Sequence, residues 1–219
     1  MARQPFHPNY ADTPTSMASF KIEEMPRLAE IVGRITVNWS GVDLQLSLVL
    51  GSLLGIENEA SVAVFLSLKN HRAQREALSA AAEKCLDEKE VKCFDALLSI
   101  HKRLDKQRND VVHGVWGTAE KTPDGLIWSS LQDHANMLIR DYHHFRPGNT
   151  PDIDRSYEIT KDYFIVKYSD LEELNQLIVL LAEAVGHFHG YIRYKGAIQG
   201  DNALKSFYDN ELVKKELAN

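Results

Sequence analysis

The chain has 219 residues, of which 44% are hydrophobic and 26% charged, and a formal net charge of −6 at pH 7. That balance excludes a wholly disordered or collagen-like chain, and a chain of this length buries enough surface to fold without a metal or disulfide staple. The acidic excess argues against broad, non-specific coating of nucleic acid while leaving room for a local basic site.

Residues 1–22 carry prolines and little apolar periodicity and are expected to form a flexible N-terminal arm. The opening Met1-Ala2-Arg3-Gln4-Pro5 leads into polar sequence rather than the apolar core of a signal peptide. The longest apolar stretch, Leu44 to Leu54, is broken by Gln45, Ser47, Gly51 and Ser52, so no membrane span is expected and the expected location is cytoplasmic.

From Pro26 the pattern changes. Leu28, Ile31, Ile35, Trp39, Val42, Leu46, Val49 and Leu53 step by three and four, which predicts one long amphipathic helix with Pro26 in its first turn and Gly55 at its end. A stripe that regular points to a bundle partner or a dimer seam. A second helix begins near Asn58, carries Val62, Phe65 and Leu66, and breaks near Asn70 before a continuation to Leu86. Asp87-x-x-Glu90 reads as a capping box for a helix running to about Val112, with the stripe Phe94, Leu97, His101, Leu104, Arg108 and Val111.

Helical periodicity then stops. Val115 to Thr118 and Leu126 to Ser129 flank Pro123-Asp124-Gly125 and predict a β-hairpin in which Trp116 and Trp128 face each other as core residues. Tyr163 to Val166 is a further short strand, and the polar, proline-broken stretch Tyr142 to Thr160 between them is a long loop. Ser169-x-x-Glu172 is expected to cap a last strong helix bearing Leu171, Leu174, Ile178, Leu181, Val185 and Phe188. The fold class expected is therefore mainly α, a four- to five-helix bundle with a small β insertion over 115–168 before the last long helix. One domain is expected over 23–195, followed by a weakly helical tail over 196–219.

Most motif classes are absent. No P-loop, dinucleotide-binding glycine pattern, nucleophile elbow or H-E-x-x-H occurs. Cys85 and Cys93, with seven residues between them, match no zinc or redox spacing and read as small core hydrophobes. His187 and His189 stand about 200° apart on a helix and cannot easily share one ion, and His143-His144 read as surface residues, so neither metal nor cofactor is expected.

Arg108 is the exception on its helix. A guanidinium on an apolar stripe must be paired or must hold an anion, because it stays charged at any accessible pH. His113 follows five residues later, about 140° away on an ideal helix, so a long Arg side chain or unwinding at Gly114 is needed to bring both to one rim. Lys102, Arg103 and Lys106 form a locally basic segment beside them and are the substrate-binding candidates. In a purely structural reading Arg108 pairs with Asp105, Asp110 or a carboxylate on the first helix, and His113 caps its helix.

Arg108-Asn109-Asp110-Val111-Val112-His113 resembles the R-x4-6-H motif of the HEPN superfamily, and the wider Lys106-Gln107-Arg108-Asn109-x-x-x-His113-Gly114-x-Trp116 resembles many bacterial HEPN-like proteins. The resemblance covers roughly 26–116 and 169–192. It implies a helical bundle that forms a homodimer with two motifs facing one cleft, and in active members a metal-independent endoribonuclease. By that resemblance His113 is the general acid or base at the ribose 2′-hydroxyl and leaving oxygen, Arg108 holds the scissile phosphate, and Asn109 orients Arg108 or contacts the phosphate. RNA is the implied substrate, and an antitoxin or other partner protein is implied by the toxin–antitoxin and phage-defence settings of such enzymes. The chain departs from the family pattern in the 115–168 insertion and in its acidity. Because many members have lost activity, a non-catalytic dimerisation or ligand-binding module is the other expectation.

Overall fold

The computed structural model describes Gln4–Pro5, Thr15–Met17 and residues 22–119, 124–144 and 163–218. It is mainly helical with a small antiparallel sheet ahead of the last long helix, the fold class expected from the sequence. Among the described residues the helices are α1 (Pro26–Leu54), α2 (Asn58–Ser67), α3 (His71–Cys85), α4 (Glu88–His113), α5 (Leu131–His144), α6 (Tyr168–Arg193), α7 (Ile198–Asp209) and α8 (Glu211–Leu217). The strands are β1 (Gln4–Pro5), β2 (Thr15–Met17), β3 (Gly114–Ala119), β4 (Gly125–Ser130) and β5 (Phe164–Lys167).

Local signals account for most of these boundaries. All eight positions of the first stripe, Leu28 to Leu53, are buried, and Gly55 follows α1 with φ +64°, a conformation other residues rarely take. Asn70 separates α2 from α3 and accepts a hydrogen bond from the Ala73 amide at 2.8 Å, a side-chain N-cap. The Asp87–Glu90 box forms in full: the Glu90 amide donates to the Asp87 carboxylate at 2.9 Å, and the Asp87 amide donates to the Glu90 carboxylate at 2.8 Å.

Four readings need correction. The last long helix is capped not by Ser169-x-x-Glu172 but by Asp170, whose carboxylate accepts from the Lys167 amide at 3.0 Å. The strand runs straight into the helix and shifts its start, and Glu172 instead holds Arg34 at 2.7 Å. Leu66 is exposed, because α2 turns only Ser61 and Phe65 fully inward. Cys93 is a core residue, but Cys85 ends α3 and is exposed. α5 occupies sequence in which no helix was read.

Contacts divide the chain into two units. The first comprises the described residues of 1–34 and 107–174 and contains the sheet, in the order β1-β5-β4-β3-β2 with every pair antiparallel. Trp116 and Trp128 are partners in the β3–β4 register, 6% and 3% exposed, as the hairpin reading requires. Two short pieces of the segment read as an arm, β1 and β2, pair at the sheet's edges. The second unit, 35–106 and 175–219, is a helical bundle whose centre stacks Phe94 on Phe188, ring centroids 5.2 Å apart, with Phe207 5.4 Å from Phe188.

Residues 145–162, and with them most of the loop expected over Tyr142–Thr160, lie outside the described residues, as do the hairpin tip 120–123 and the side chains of His143 and His144. Among the described residues no single helix is long and apolar enough to cross a membrane; α1 and α2 reach that length and composition only as a pair bent by 117°.

Candidate functional site

α4 ends at His113 and β3 begins at Gly114 with no residue between them. A helix end leaves its last carbonyls without intrahelical partners. Here the hairpin supplies two. The indole N–H of Trp128 donates to the Asp110 carbonyl at 2.9 Å, and that of Trp116 donates to the Val111 carbonyl at 3.0 Å. Gly114 is required by this closeness: a Cβ there would lie 1.9 Å from Trp128 Nε1 and 2.7 Å from the Asp110 carbonyl oxygen. The two tryptophans thus set where the last turn of α4 stops and where His113 stands.

Just before that turn, Arg108 Nη1 donates to Asn109 Oδ1 at 2.6 Å, and both residues are half-buried. Asn109 is a neutral acceptor, so this bond directs the guanidinium without cancelling its charge. His113 is exposed at the helix end. It lines a cavity of about 630 Å³ with Val112, Trp116, Leu131, His134 and Leu138, a wall that is otherwise apolar.

His134 is the second imidazole of this cavity, and it comes from α5. That helix starts on a side-chain cap: Ser130 Oγ accepts from the Asp133 amide at 3.0 Å and donates to the Asp133 carboxylate at 2.6 Å. His134 is buried, which pushes its pKa below the ordinary histidine value. Its Nδ1 lies 3.4 Å from the Tyr163 hydroxyl, with the two rings stacked at 6.3 Å.

The basic candidates belong to the second unit, whereas Arg108, Asn109 and His113 belong to the first. Lys102 and Lys106 stand one turn apart and are exposed. Arg103 donates to Glu216 at 2.8 Å, and Ser99 donates to the other oxygen of that carboxylate at 2.6 Å. Burial alone would raise the pKa of Glu216, but these two bonds outweigh it and hold the carboxyl below its usual range. Arg103 therefore already has an anion to hold.

The second unit also contains a polar cluster absent from the sequence reading. Asp105, 7% exposed, receives His71 Nδ1 at 2.6 Å and Arg75 at 3.2 Å, and Arg75 lies 3.3 Å from the ring of the fully buried His101. Burial pushes the Asp105 pKa up, and the bonds from His71 and Arg75 more than reverse this. Asp105, one of the structural partners considered for Arg108, thus bonds His71 and Arg75. Its members come from α3 and α4, about 30 residues apart, so no local pattern announces them. His134 did carry a local signal, the Ser130-x-x-Asp133 cap that opens its helix. Among the described residues no group of three or more His, Cys, Asp or Glu side chains is placed to hold a metal ion. His189 is instead packed with its Nε2 3.1 Å from Ser52 Oγ.

Searches against family models, curated proteins and solved structures return no match to this chain.

Proposed function

We propose that the chain is a HEPN-like, metal-independent endoribonuclease that cleaves RNA by attack of a ribose 2′-hydroxyl on the adjacent phosphate. The observation that carries the reading is the order along the last turns of α4, where a guanidinium directed by Asn109 is followed by an exposed imidazole beside a cavity. Arg108 binds the scissile phosphate through its planar fork and stabilises the charge that develops on it. His113 exchanges protons with the reacting oxygens. In this reading two chains form a homodimer, and the biological setting is a toxin–antitoxin or phage-defence system with a partner protein that restrains the activity.

The test is cleavage of a mixed RNA pool in EDTA by the full chain and by His113→Ala and Arg108→Ala. Each substitution is expected to lower the rate by about 10²–10⁴-fold, the span typical of a positioned acid–base group or a charge-stabilising donor. Products should end in a cyclic phosphate, and DNA of the same sequence should survive. Cleavage unchanged in both variants defeats the assignment.

A second reading, a non-catalytic HEPN-like dimerisation or ligand-binding module, is favoured by one feature of the same cavity. Its rim exposes Val112, Leu131 and Leu138, Leu131 to 67%, and such apolar surface suits a protein or apolar ligand better than a phosphate. Intact dimers with no cleavage by the wild-type chain would select it.

A further inference from the structure

We propose that His134 is a second catalytic imidazole, acting with His113 across the cavity that both residues line; the inference rests on the ribonuclease reading. Cleavage through the 2′-hydroxyl requires one group to take the 2′ proton and another to supply a proton to the departing 5′ oxygen. The α4 motif supplies one imidazole. The insertion that the minimal helical pattern lacks supplies the other, on α5, in the wall of the same 630 Å³ cavity.

The assignment of roles follows from surroundings. His134 is buried among apolar walls that favour its neutral form, whereas His113 is open to solvent. Among the described residues, the Tyr163 hydroxyl, from the stretch before β5, lies against His134, and His113 lines the same cavity; Asp133, beside His134 on α5, is tied to Ser130. In the tautomer whose Nδ1–H donates to the Tyr163 oxygen, Nε2 is the acceptor. The 2′ proton passes to His134 as the O2′–P bond forms, the P–O5′ bond breaks, and His113 delivers a proton to O5′. The products are a 2′,3′-cyclic phosphate and a 5′-hydroxyl, with no oxidant or reductant involved.

The experiment compares the full wild-type chain with His134→Ala, His134→Asn, Tyr163→Phe and His113→Ala on a fluorescent single-stranded RNA in EDTA across pH 5–9. Asn keeps a donor near the Nδ1 position, and so the contact with Tyr163, but has no base. Both His134 variants are expected to cleave about 10²–10⁴-fold more slowly with unchanged circular dichroism. Added imidazole should restore part of the rate to His134→Ala, and the acid limb of kcat/KM should vanish in His134→Asn and move in Tyr163→Phe. A His134→Asn rate within about threefold of wild type, with His113→Ala inactive, overturns the inference and leaves the ribonuclease reading standing. Slow cleavage without imidazole rescue and with the acid limb unmoved also overturns it, in favour of a structural role. If the wild-type chain yields no cyclic phosphate, the ribonuclease reading fails first and the inference goes with it.

Discussion

The indole N–H of Trp128 donates to the carbonyl oxygen of Asp110 at 2.9 Å, so a residue of the hairpin caps the end of α4, the helix that carries Arg108 and His113. Gly114 makes that approach possible, because any side chain there would meet the indole. Trp128→Phe should cost about 1 kcal/mol for the lost hydrogen bond. Gly114→Ala should cost about 1–3 kcal/mol, since the overlap is with a buried ring. Urea unfolding measures both. A Gly114→Ala midpoint equal to wild type would mean that the indole can withdraw and the cap is dispensable.

Stability should fall on both sides of neutrality. Burial lowers the pKa of His134, and burial aided by the Arg193 charge lowers that of His189, so each folds best as the neutral ring. A depressed histidine pKa gives stability that is complete above the unfolded value of 6.5 and is lost as pH drops below it. Asp105, Glu90 and Glu216 are likewise held below their ordinary values, so their contribution is complete above about pH 4.5 and is lost on further acidification. Tyr208 runs the other way. Its bond to Cys93 and its burial raise the pKa from 10.0 to about 12, so stability should decline as pH climbs through that interval. Thermal melts from pH 4 to 12 test the profile, and replacing His134 and His189 together with Asn should flatten its segment between pH 5 and 6.5.

In the proposed ribonuclease, Arg108→Lys and Asn109→Ala separate charge from direction. Lysine keeps the positive charge but cannot present a planar pair of donors, so cleavage should fall by at least about tenfold. Asn109→Ala removes the acceptor 2.6 Å from Nη1 and should raise KM for RNA and lower kcat together, because the guanidinium loses its aim. An Arg108→Lys enzyme as fast as wild type would show that only charge matters there.

Two asparagine caps should differ in cost. Asn70 is exposed and satisfies one amide, that of Ala73, so Asn70→Ala should lose about 1 kcal/mol. Asn210 is buried, accepts from Leu212 and Val213, and donates to the Leu180 carbonyl at 2.9 Å. Asn210→Ala strands a buried carbonyl as well as two amides and should cost about 2–4 kcal/mol. Equal losses would argue that water takes over at Asn210.

Elements with a local signature are legible in the sequence. The stripe from Leu28 to Leu53 needs only a period of 3.6, the Asp87–Glu90 box only a spacing of three, and the hairpin only alternation around a turn. α5 was missed because its stripe is short and follows a strand directly, although Ser130-x-x-Asp133 marks its start. The Arg108–Asn109–His113 motif could be placed on its helix from sequence. The cavity beside it could not, because His134 reaches it through a chain reversal that no spacing rule describes. For the same reason the Asp105 cluster stayed invisible, since it depends on which helices pack.

The direct passage from His113 to Gly114 leaves the gene no freedom at that junction. Side chains along a strand alternate between faces, so one codon inserted or deleted there would turn Trp116 away from the Val111 carbonyl and bring a neighbour round in its place. No loop stands ready to absorb the slip. Chain-length variation in this protein must therefore be taken up at other points, and the interval from Arg108 to Trp116 should be inherited as a fixed-length block.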